Sequence, residues 1–205
     1  MHLSAPAIVC AARPHGEAGV IARVLTAEHG LLAGYVAGGR GRQLRPVLIP
    51  GNEIDIELRA RAGAQMPGLR VELVASRGPW LGEPLPAAAI GWVTAITAVS
   101  LPERHPYPAL HAALSALLDA VCQAPAARGW VPGLVAYEAL LLRELGYGEP
   151  PWREALAADD SWAGLIDLFD RMGRALARYP LADRRGDVMG ARALLRERLG
   201  RIGAG

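Results

Sequence analysis

The stretch Glu53-Ile54-Asp55-Ile56-Glu57-Leu58-Arg59 decides how the first part of the chain folds. Apolar residues occupy every second position, and charged residues fill the positions between them. Because successive side chains of a β-strand point to opposite faces, this alternation predicts a strand with one buried and one exposed face. Residues 1–80 are therefore expected to fold as a sheet of short strands.

Four other segments of residues 1–80 also have the composition of short strands. They are Ala7–Ala12, Val20–Thr26, Leu31–Val36 and a final strand that contains Leu69, Val71 and Leu73. Glycines and prolines mark the turns between them, and a glycine- and arginine-rich loop spans residues 37–45. Five short strands within about seventy residues favour a small barrel, for which the five-stranded OB-fold is the natural candidate.

From Pro79 onward, apolar residues recur at helical spacing. Residues 87–100 are apolar on nearly every side, which is typical of a central helix. Further helices are predicted around residues 110–121, 134–145, 162–179 and 188–202, with an irregular stretch at residues 146–160. The predicted fold class is therefore α+β and multidomain, with an OB-fold at residues 1–78 and an all-α helical domain at residues 79–205.

All 22 basic side chains are arginine, and the sequence contains no lysine. This composition excludes P-loop nucleotide hydrolases and Schiff-base enzymes, since both need a lysine amine. Residues 1–80 carry 9 arginines and 6 carboxylates, while the remaining residues carry 13 arginines and 14 carboxylates. The first part is modestly basic, and its arginines suit a polyanionic partner because a guanidinium group can make two hydrogen bonds to one phosphate.

The sequence shows no pattern typical of an enzyme or of a metal site. It lacks a G-x-S-x-G nucleophile motif, and Cys10 and Cys122 do not form a C-x-x-C pair. The histidines do not have metal-binding spacing: they are His2, His15, His29, His105 and His111. The Asp159-Asp160 pair before Ser161 is interpreted as helix capping rather than catalysis. We therefore expect a protein that is not an enzyme and that holds no metal or cofactor.

The sequence also predicts the compartment. No apolar run reaches the length of about 18 residues that a transmembrane helix needs. Residues 1–10 lack the basic start of a secretion signal. Both cysteines lie in apolar sequence and are expected to be buried, reduced thiols. These features predict a cytoplasmic protein without membrane contact.

Residues 38–45, Gly38-Gly39-Arg40-Gly41-Arg42-Gln43-Leu44-Arg45, carry the strongest functional signal. Glycines let a backbone approach a partner closely, and arginines contact phosphates or stack on bases. The loop therefore predicts nucleic-acid binding through Arg40, Arg42 and Arg45, although its composition equally fits a solvated basic hairpin tip. Further arginines would extend this surface if their strands share a face: Arg13, Arg23 and Arg70.

Several segments occur in an order and spacing that resemble a known family. They are Arg13–Glu17, Leu25–Gly30, Gly38–Pro46, Pro50–Asn52, Leu101–Arg104 and Glu138–Gly148. Taken together, they resemble the bacterial RecO family over nearly the whole chain, from its N-terminal domain through its helical domain.

The resemblance implies an OB-fold followed by a helical domain, with a role in recombinational DNA repair at the nucleoid. RecO proteins bind single- and double-stranded DNA and anneal complementary strands. They act with RecR on DNA that is coated with single-strand-binding protein, and thereby help RecA to load. By position, the resemblance also places the DNA contact at Arg40, Arg42 and Arg45.

The chain departs from the family pattern after Leu145–Gly148. Many members carry a cysteine-bearing zinc segment there, whereas in this chain Pro150 and Pro151 lead almost directly into a helix. We therefore expect a shortened form without zinc. A second departure is Ala37, which stands where a lysine is common before the first glycine of the loop.

A third departure concerns the partner site of the helical domain. Val135 and Ala136 precede the Tyr137-Glu138 pair, where the family often has basic residues. This departure either removes the docking of the acidic tail of single-strand-binding protein or moves it to other basic residues: Arg143, Arg171 and Arg174.

Two alternatives to a DNA-binding mediator stay open. One is a protein-interaction scaffold that has lost DNA affinity, and the other is an unrecognised enzyme on the same frame. The sequence also leaves two interpretations for the C-terminal arginines, a second DNA contact or a solvated helix edge, of which we favour the latter; they are Arg184, Arg185 and Arg192.

Overall fold

The computed structural model describes residues 2–60, 66–148, 150–181 and 185–202, the last of these with side chains from Val188 onward. The chain forms two compact units. One comprises residues 1–82 together with 101–111, and the other comprises residues 83–100 together with 112–205. The placement of a domain boundary between residues 78 and 79 stays a prediction.

The first unit is built on five strands. They are β1 (His2–His15), β2 (Gly19–Thr26), β3 (Gly30–Val36), β4 (Glu53–Arg59) and β5 (Gly68–Ala75). The strands close into a barrel in the order β1-β2-β3-β5-β4, and β1 pairs with both β2 and β4. Neighbouring strands are antiparallel except for β3 and β5, which a parallel bridge connects. This barrel confirms the OB-fold that the sequence predicts.

Strand β1 is longer than the apolar run at residues 7–12 predicts. Its first half pairs with β4 from His2 to Ile8, and its second half pairs with β2 from Ile8 to His15. Because this strand closes the barrel, its polar ends also enter the hydrogen-bond ladder. A bulge between Val9 and Ala11 bends the strand from one neighbour toward the other.

The barrel interior contains the alternating apolar residues of the stretch at residues 53–59. Ile54, Ile56 and Leu58 are each at most 2% exposed. They pack in one core cluster with residues of the other four strands, including Val9, Val20, Val24, Leu32 and Leu69. The charged residues between them lie on the outer face, as the alternation predicts.

Residues 101–111 pack on the outside of the barrel against β3. The backbone N–H of Arg104 donates to the carbonyl oxygen of Leu31 at 2.9 Å. Gly30, with a φ of +67°, lies against the backbone of His105, where a Cβ atom would overlap the carbonyl group. A glycine at this position therefore permits both the turn into β3 and the close approach of this segment.

The other described regular elements are helices. They are α1 (Pro84–Ser100), α2 (Pro108–Gln123), α3 (Val131–Glu144), α4 (Trp152–Ala158), α5 (Trp162–Arg178) and α6 (Arg185–Ile202). Within the second unit, α1 packs against α6, and α3 packs against α5. The helix α4 lies in the stretch for which the sequence predicts irregular structure. The sequence does not reveal this helix because seven residues are too few to show helical periodicity.

The capping interpretation is confirmed for Asp159 and Ser161 at the start of α5. The Ser161 hydroxyl accepts a hydrogen bond from the backbone N–H of Gly164 at 3.1 Å. The Asp159 carboxylate accepts one from the backbone N–H of Ser161 at 3.0 Å, and these contacts with Ser161 lower the pKa of Asp159. The carboxylate of Asp159 therefore has a structural role at this helix end.

Cys10 is buried in the barrel wall, and burial raises the pKa of its thiol to about 12. Cys122 is half-buried rather than buried as predicted, and neither of these two cysteines forms a disulfide. Within the described part of the chain, no three or more His, Cys, Asp and Glu side chains are grouped to hold a metal ion. No helix among the described residues is long and apolar enough to cross a membrane.

Candidate nucleic-acid interface

The arginine-rich loop connects β3 to β4 through a series of tight turns. The backbone N–H of Gly41 donates to the carbonyl oxygen of Gly38 at 2.8 Å, and that of Arg45 donates to Gly41 at 2.9 Å. Gly38 has a φ of +69°, a conformation that favours glycine. Three apolar side chains anchor the loop on the barrel core: Leu44, Val47 and Leu48. The loop is therefore held in place while Arg40, Arg42 and Arg45 stay exposed.

Arg40 joins this loop to the turn between β1 and β2. Its backbone N–H donates to the carbonyl oxygen of Ala18 at 3.1 Å. Its guanidinium Nη1 donates to the carbonyl oxygen of Glu17 at 2.9 Å. A guanidinium group has five N–H donors, so Arg40 retains exposed donors for an anion while its position is fixed.

Arg40 and Arg45 border a depression of about 500 Å³ in the barrel unit. The depression is otherwise lined by small and apolar residues of β1, β2 and the loop: Ala12, Pro14, Val20, Gly39, Leu48, Ile49 and Pro50. The sequence holds no carboxylate between Glu28 and Glu53, so the loop itself contributes only cationic side chains to the rim, while exposed Glu17 lies in the adjoining turn. A cationic rim around an apolar floor suits a polynucleotide, which combines phosphates with apolar sugar and base surface.

Arg13 and Arg23 lie on the same outer face of the barrel, as the sequence-based prediction requires. In the β1–β2 register Arg13 lies opposite Ile21, and Ala11 lies opposite Arg23. Arg13 is exposed. Arg23 is half-buried, and its Nη2 lies 3.2 Å from a carboxylate oxygen of Glu103. Arg23 therefore shares the face with Arg13 but is already paired with an acidic side chain.

Replacing Glu103 with glutamine is expected to raise the affinity of the chain for single-stranded DNA. The change releases the Arg23 guanidinium from a partly exposed ion pair, and such pairs are weak enough that the gain is at most about fivefold. Fluorescence anisotropy with a labelled oligonucleotide measures the change. The matched control is Glu72→Gln, which removes the same charge from an exposed position on β5. Equal effects of the two replacements would contradict a specific role for the Arg23–Glu103 pair.

Arg70 lies apart from the other arginines. On β5 it is opposite Glu57 of β4, and its Nη1 lies 3.9 Å from the Glu57 carboxylate. Asp55 and Glu72 line a second depression of the barrel unit together with Arg70. The structure therefore places Arg13 and Arg23 on one outer face of β1 and β2, the loop arginines beside the β1–β2 turn, and Arg70 on a surface of mixed charge.

The three arginines predicted to bind a partner occupy exposed positions on α3 and α5 of the helical unit. Arg143 lies 3.0 Å from the carboxylate of its neighbour Glu144. Arg171 pairs with Asp167 one turn earlier at 3.0 Å. Arg174 is exposed on the same helix as Arg171. Their role in binding an acidic segment stays a prediction.

Arg192 corrects the interpretation of the C-terminal arginines. Its side chain is buried, and it donates from Nε and Nη2 to the two carboxylate oxygens of Glu138 at 3.2 and 3.0 Å. Arg192 is therefore neither a DNA contact nor part of a solvated helix edge. Arg184 lies outside the described residues, and so does the side chain of Arg185.

Glu138 is the centre of a buried polar network in the helical unit that sequence reasoning missed. The indole N–H of Trp92 donates to Glu138 at 2.7 Å, and Arg192 also donates to the carbonyl oxygen of Phe169. The guanidinium carbon of Arg192 lies 3.6 Å from the centre of the Phe169 ring. Burial raises the pKa of Glu138, while Arg192 and Trp92 oppose this rise. The network connects α1, α3, α5 and α6.

Two family models cover most of the chain. Residues 1–77 match the model described as Recombination protein O N terminal. Residues 84–152 match the model described as Recombination protein O C terminal. The first match contains the barrel and the arginine-rich loop, and the second contains α1, α2 and α3.

Curated relatives support the same assignment. The DNA repair protein RecO of Cereibacter sphaeroides is 37% identical over 166 residues, which is 81% of this chain and 67% of the relative. The DNA repair protein RecO of Phenylobacterium zucineum is 36% identical over 189 residues, which is 90% of this chain and 75% of the relative. That of Rhodospirillum centenum is 42% identical over 143 residues, which is 69% of this chain and 56% of the relative. The chain therefore belongs to the RecO family of DNA repair proteins.

Proposed function

We propose that this chain is a DNA-binding recombination mediator. In this role it anneals complementary strands and, together with RecR, helps RecA to load on DNA that is coated with single-strand-binding protein. The observation that carries the proposal is the exposed arginine-rich loop, which the barrel holds in place and which has no neighbouring carboxylate in sequence between Glu28 and Glu53. Its arginines would bind the phosphates of single- and double-stranded DNA alike.

The physical basis of annealing is charge neutralisation. Two complementary strands repel each other through their phosphates, and a cationic surface that binds both strands lowers this repulsion. Base pairing then supplies the specificity, so the protein needs no catalytic group, metal or cofactor. The protein would work in the cytoplasm at the nucleoid, and it would do so without covalent chemistry.

The helical unit would supply the partner contacts. Arg143, Arg171 and Arg174 are exposed there and suit the acidic tail of single-strand-binding protein. Each carboxylate beside these arginines belongs to a partly exposed ion pair, so an incoming acidic peptide can replace it at little cost. Contact with RecR is part of this proposal, but it is not assigned to particular residues.

An annealing assay tests this proposal. Two complementary oligonucleotides that carry a fluorophore and a quencher are mixed with the protein, with and without single-strand-binding protein and RecR. Faster quenching with the protein alone, and retained annealing on coated strands when RecR is present, are the expected results. Quenching at the uncatalysed rate under all conditions would reject the mediator role and favour the protein-interaction scaffold.

A further inference from the structure

Tyr35 forms a cross-strand row with Arg13 on the outer face of the barrel. In the strand register Tyr35 of β3 lies opposite Ile21 of β2, which in turn lies opposite Arg13 of β1. The Tyr35 side chain is 37% exposed, which is a high exposure for a large ring on a barrel wall. An exposed aromatic ring therefore lies in the same row as an exposed cation.

The ring of Tyr35 lies across Gly19 at the start of β2. A Cβ atom at Gly19 would overlap the Tyr35 ring, so only glycine leaves room for the ring in this position. The His15 ring meets the Tyr35 ring edge-on, with ring centres 6.1 Å apart and planes at 79°. The backbone of Tyr35 is also fixed, because its N–H donates to the carbonyl oxygen of Pro67 at 2.9 Å. These contacts hold the ring while leaving part of its surface to solvent.

This aromatic pair is continuous with the arginine-rich loop. His15 and Gly19 flank the turn at residues 16–18, and the guanidinium of Arg40 donates to the carbonyl oxygen of Glu17 in that turn. The rings of His15 and Tyr35 therefore lie beside the turn that Arg40 contacts.

We propose that Tyr35, supported by His15 and Gly19, is a stacking platform for an unpaired nucleobase of single-stranded DNA, with Arg13 and Arg40 binding the flanking phosphates. This inference rests on the proposed DNA-binding function and adds a preference for unpaired bases to it. The bases of a duplex are stacked on one another and cannot cover the ring, whereas a base of a single strand can. Stacking tolerates any base, so the platform serves a protein that binds without sequence preference.

The test compares oligothymidylate with an abasic oligonucleotide of the same length, which has the same phosphates but no bases. Anisotropy titrations at one salt concentration measure both affinities. The wild-type chain is expected to bind oligothymidylate at least about fivefold more tightly than the abasic strand. Tyr35→Leu still covers Gly19 but has no aromatic face, so it is expected to abolish this difference. Tyr35→Phe is expected to retain it.

Tyr147→Leu is the matched control, since it removes an exposed tyrosine ring, which stacks on Tyr179 at 5.3 Å, from the helical unit. It is expected to leave the preference for oligothymidylate unchanged. Thermal melting of each variant distinguishes lost stacking from lost folding. A preference that persists in a folded Tyr35→Leu variant would overturn the platform, as would equal binding of both strands by the wild type. Failure of the wild type to bind either strand would instead reject the DNA-binding function itself.

Discussion

Replacing Glu138 with glutamine is expected to lower the free energy of unfolding by about 3–5 kcal/mol. The amide still accepts a hydrogen bond from Trp92, but it leaves the buried guanidinium of Arg192 without a counter-charge. An unpaired buried charge costs far more than a lost surface contact. For a protein of this size the melting temperature should fall by roughly 10 °C, which thermal unfolding followed by circular dichroism measures.

The matched control is Arg196→Ala. Arg196 also extends from α6, but it pairs with Asp170 of α5 at 2.7 Å, and the two side chains are 38% and 33% exposed. Its loss should cost no more than about 1 kcal/mol. The double replacement Glu138→Gln with Arg192→Met removes both charges and should recover part of the stability. If Glu138→Gln and Arg196→Ala lower the melting temperature equally, the buried network is not the main polar support of the helical unit.

The sequence contains one sign of this network, a carboxylate within an apolar helix pattern, but helical periodicity does not identify the partners of that carboxylate. Glu138 occupies a position within the apolar helix pattern of residues 134–145, where a carboxylate is unexpected. Its partners Trp92 and Arg192 lie 46 and 54 positions away in sequence. Periodicity reports which face of a helix is buried, but it does not report which distant residue meets a buried charge. The pairing therefore needed the structure.

Replacing both Arg40 and Arg42 with alanine is expected to weaken binding to single-stranded DNA for every sequence tested. Each phosphate contact contributes about 0.7 to the slope of log affinity against log salt concentration on a single strand, so the double variant should lose about 1.4. Arg40 also holds the turn between β1 and β2 through Glu17, so part of its effect comes through the loop position. Anisotropy titrations at several salt concentrations give both the affinity and the slope.

The double variant Arg59→Ala with Arg70→Ala provides the control. It removes the same charge from exposed positions on β4 and β5, where both arginines lie near the Glu57 carboxylate. We expect this variant to keep nearly the wild-type slope of log affinity against log salt concentration. If both double variants flatten the salt dependence equally, net charge rather than the loop governs DNA binding.

The fold was predictable because its signals are local. The alternation in residues 53–59 identified an interior face that the barrel retains, and glycines marked most of the turns. The candidate site was predictable only in part. Composition identified the loop, but Tyr35 was missed because the position of its ring depends on the room left by Gly19, a residue of the neighbouring strand. The sequence-based prediction grouped Arg70 with the loop arginines because strand alternation shows only whether a residue faces inward or outward. Alternation does not show which residues surround an outward-facing side chain once the barrel has closed.

The decisive measurement for an arginine-based DNA interface is binding of single-stranded DNA by the wild-type chain as a function of salt. A labelled oligonucleotide is titrated with the protein, and anisotropy is recorded at increasing salt concentration. We expect measurable binding at low salt and a slope of log affinity against log salt of about −2 or steeper, from three or more phosphate contacts. Absence of binding at low salt, or affinity that does not change with salt, would contradict an arginine-based DNA interface on this barrel.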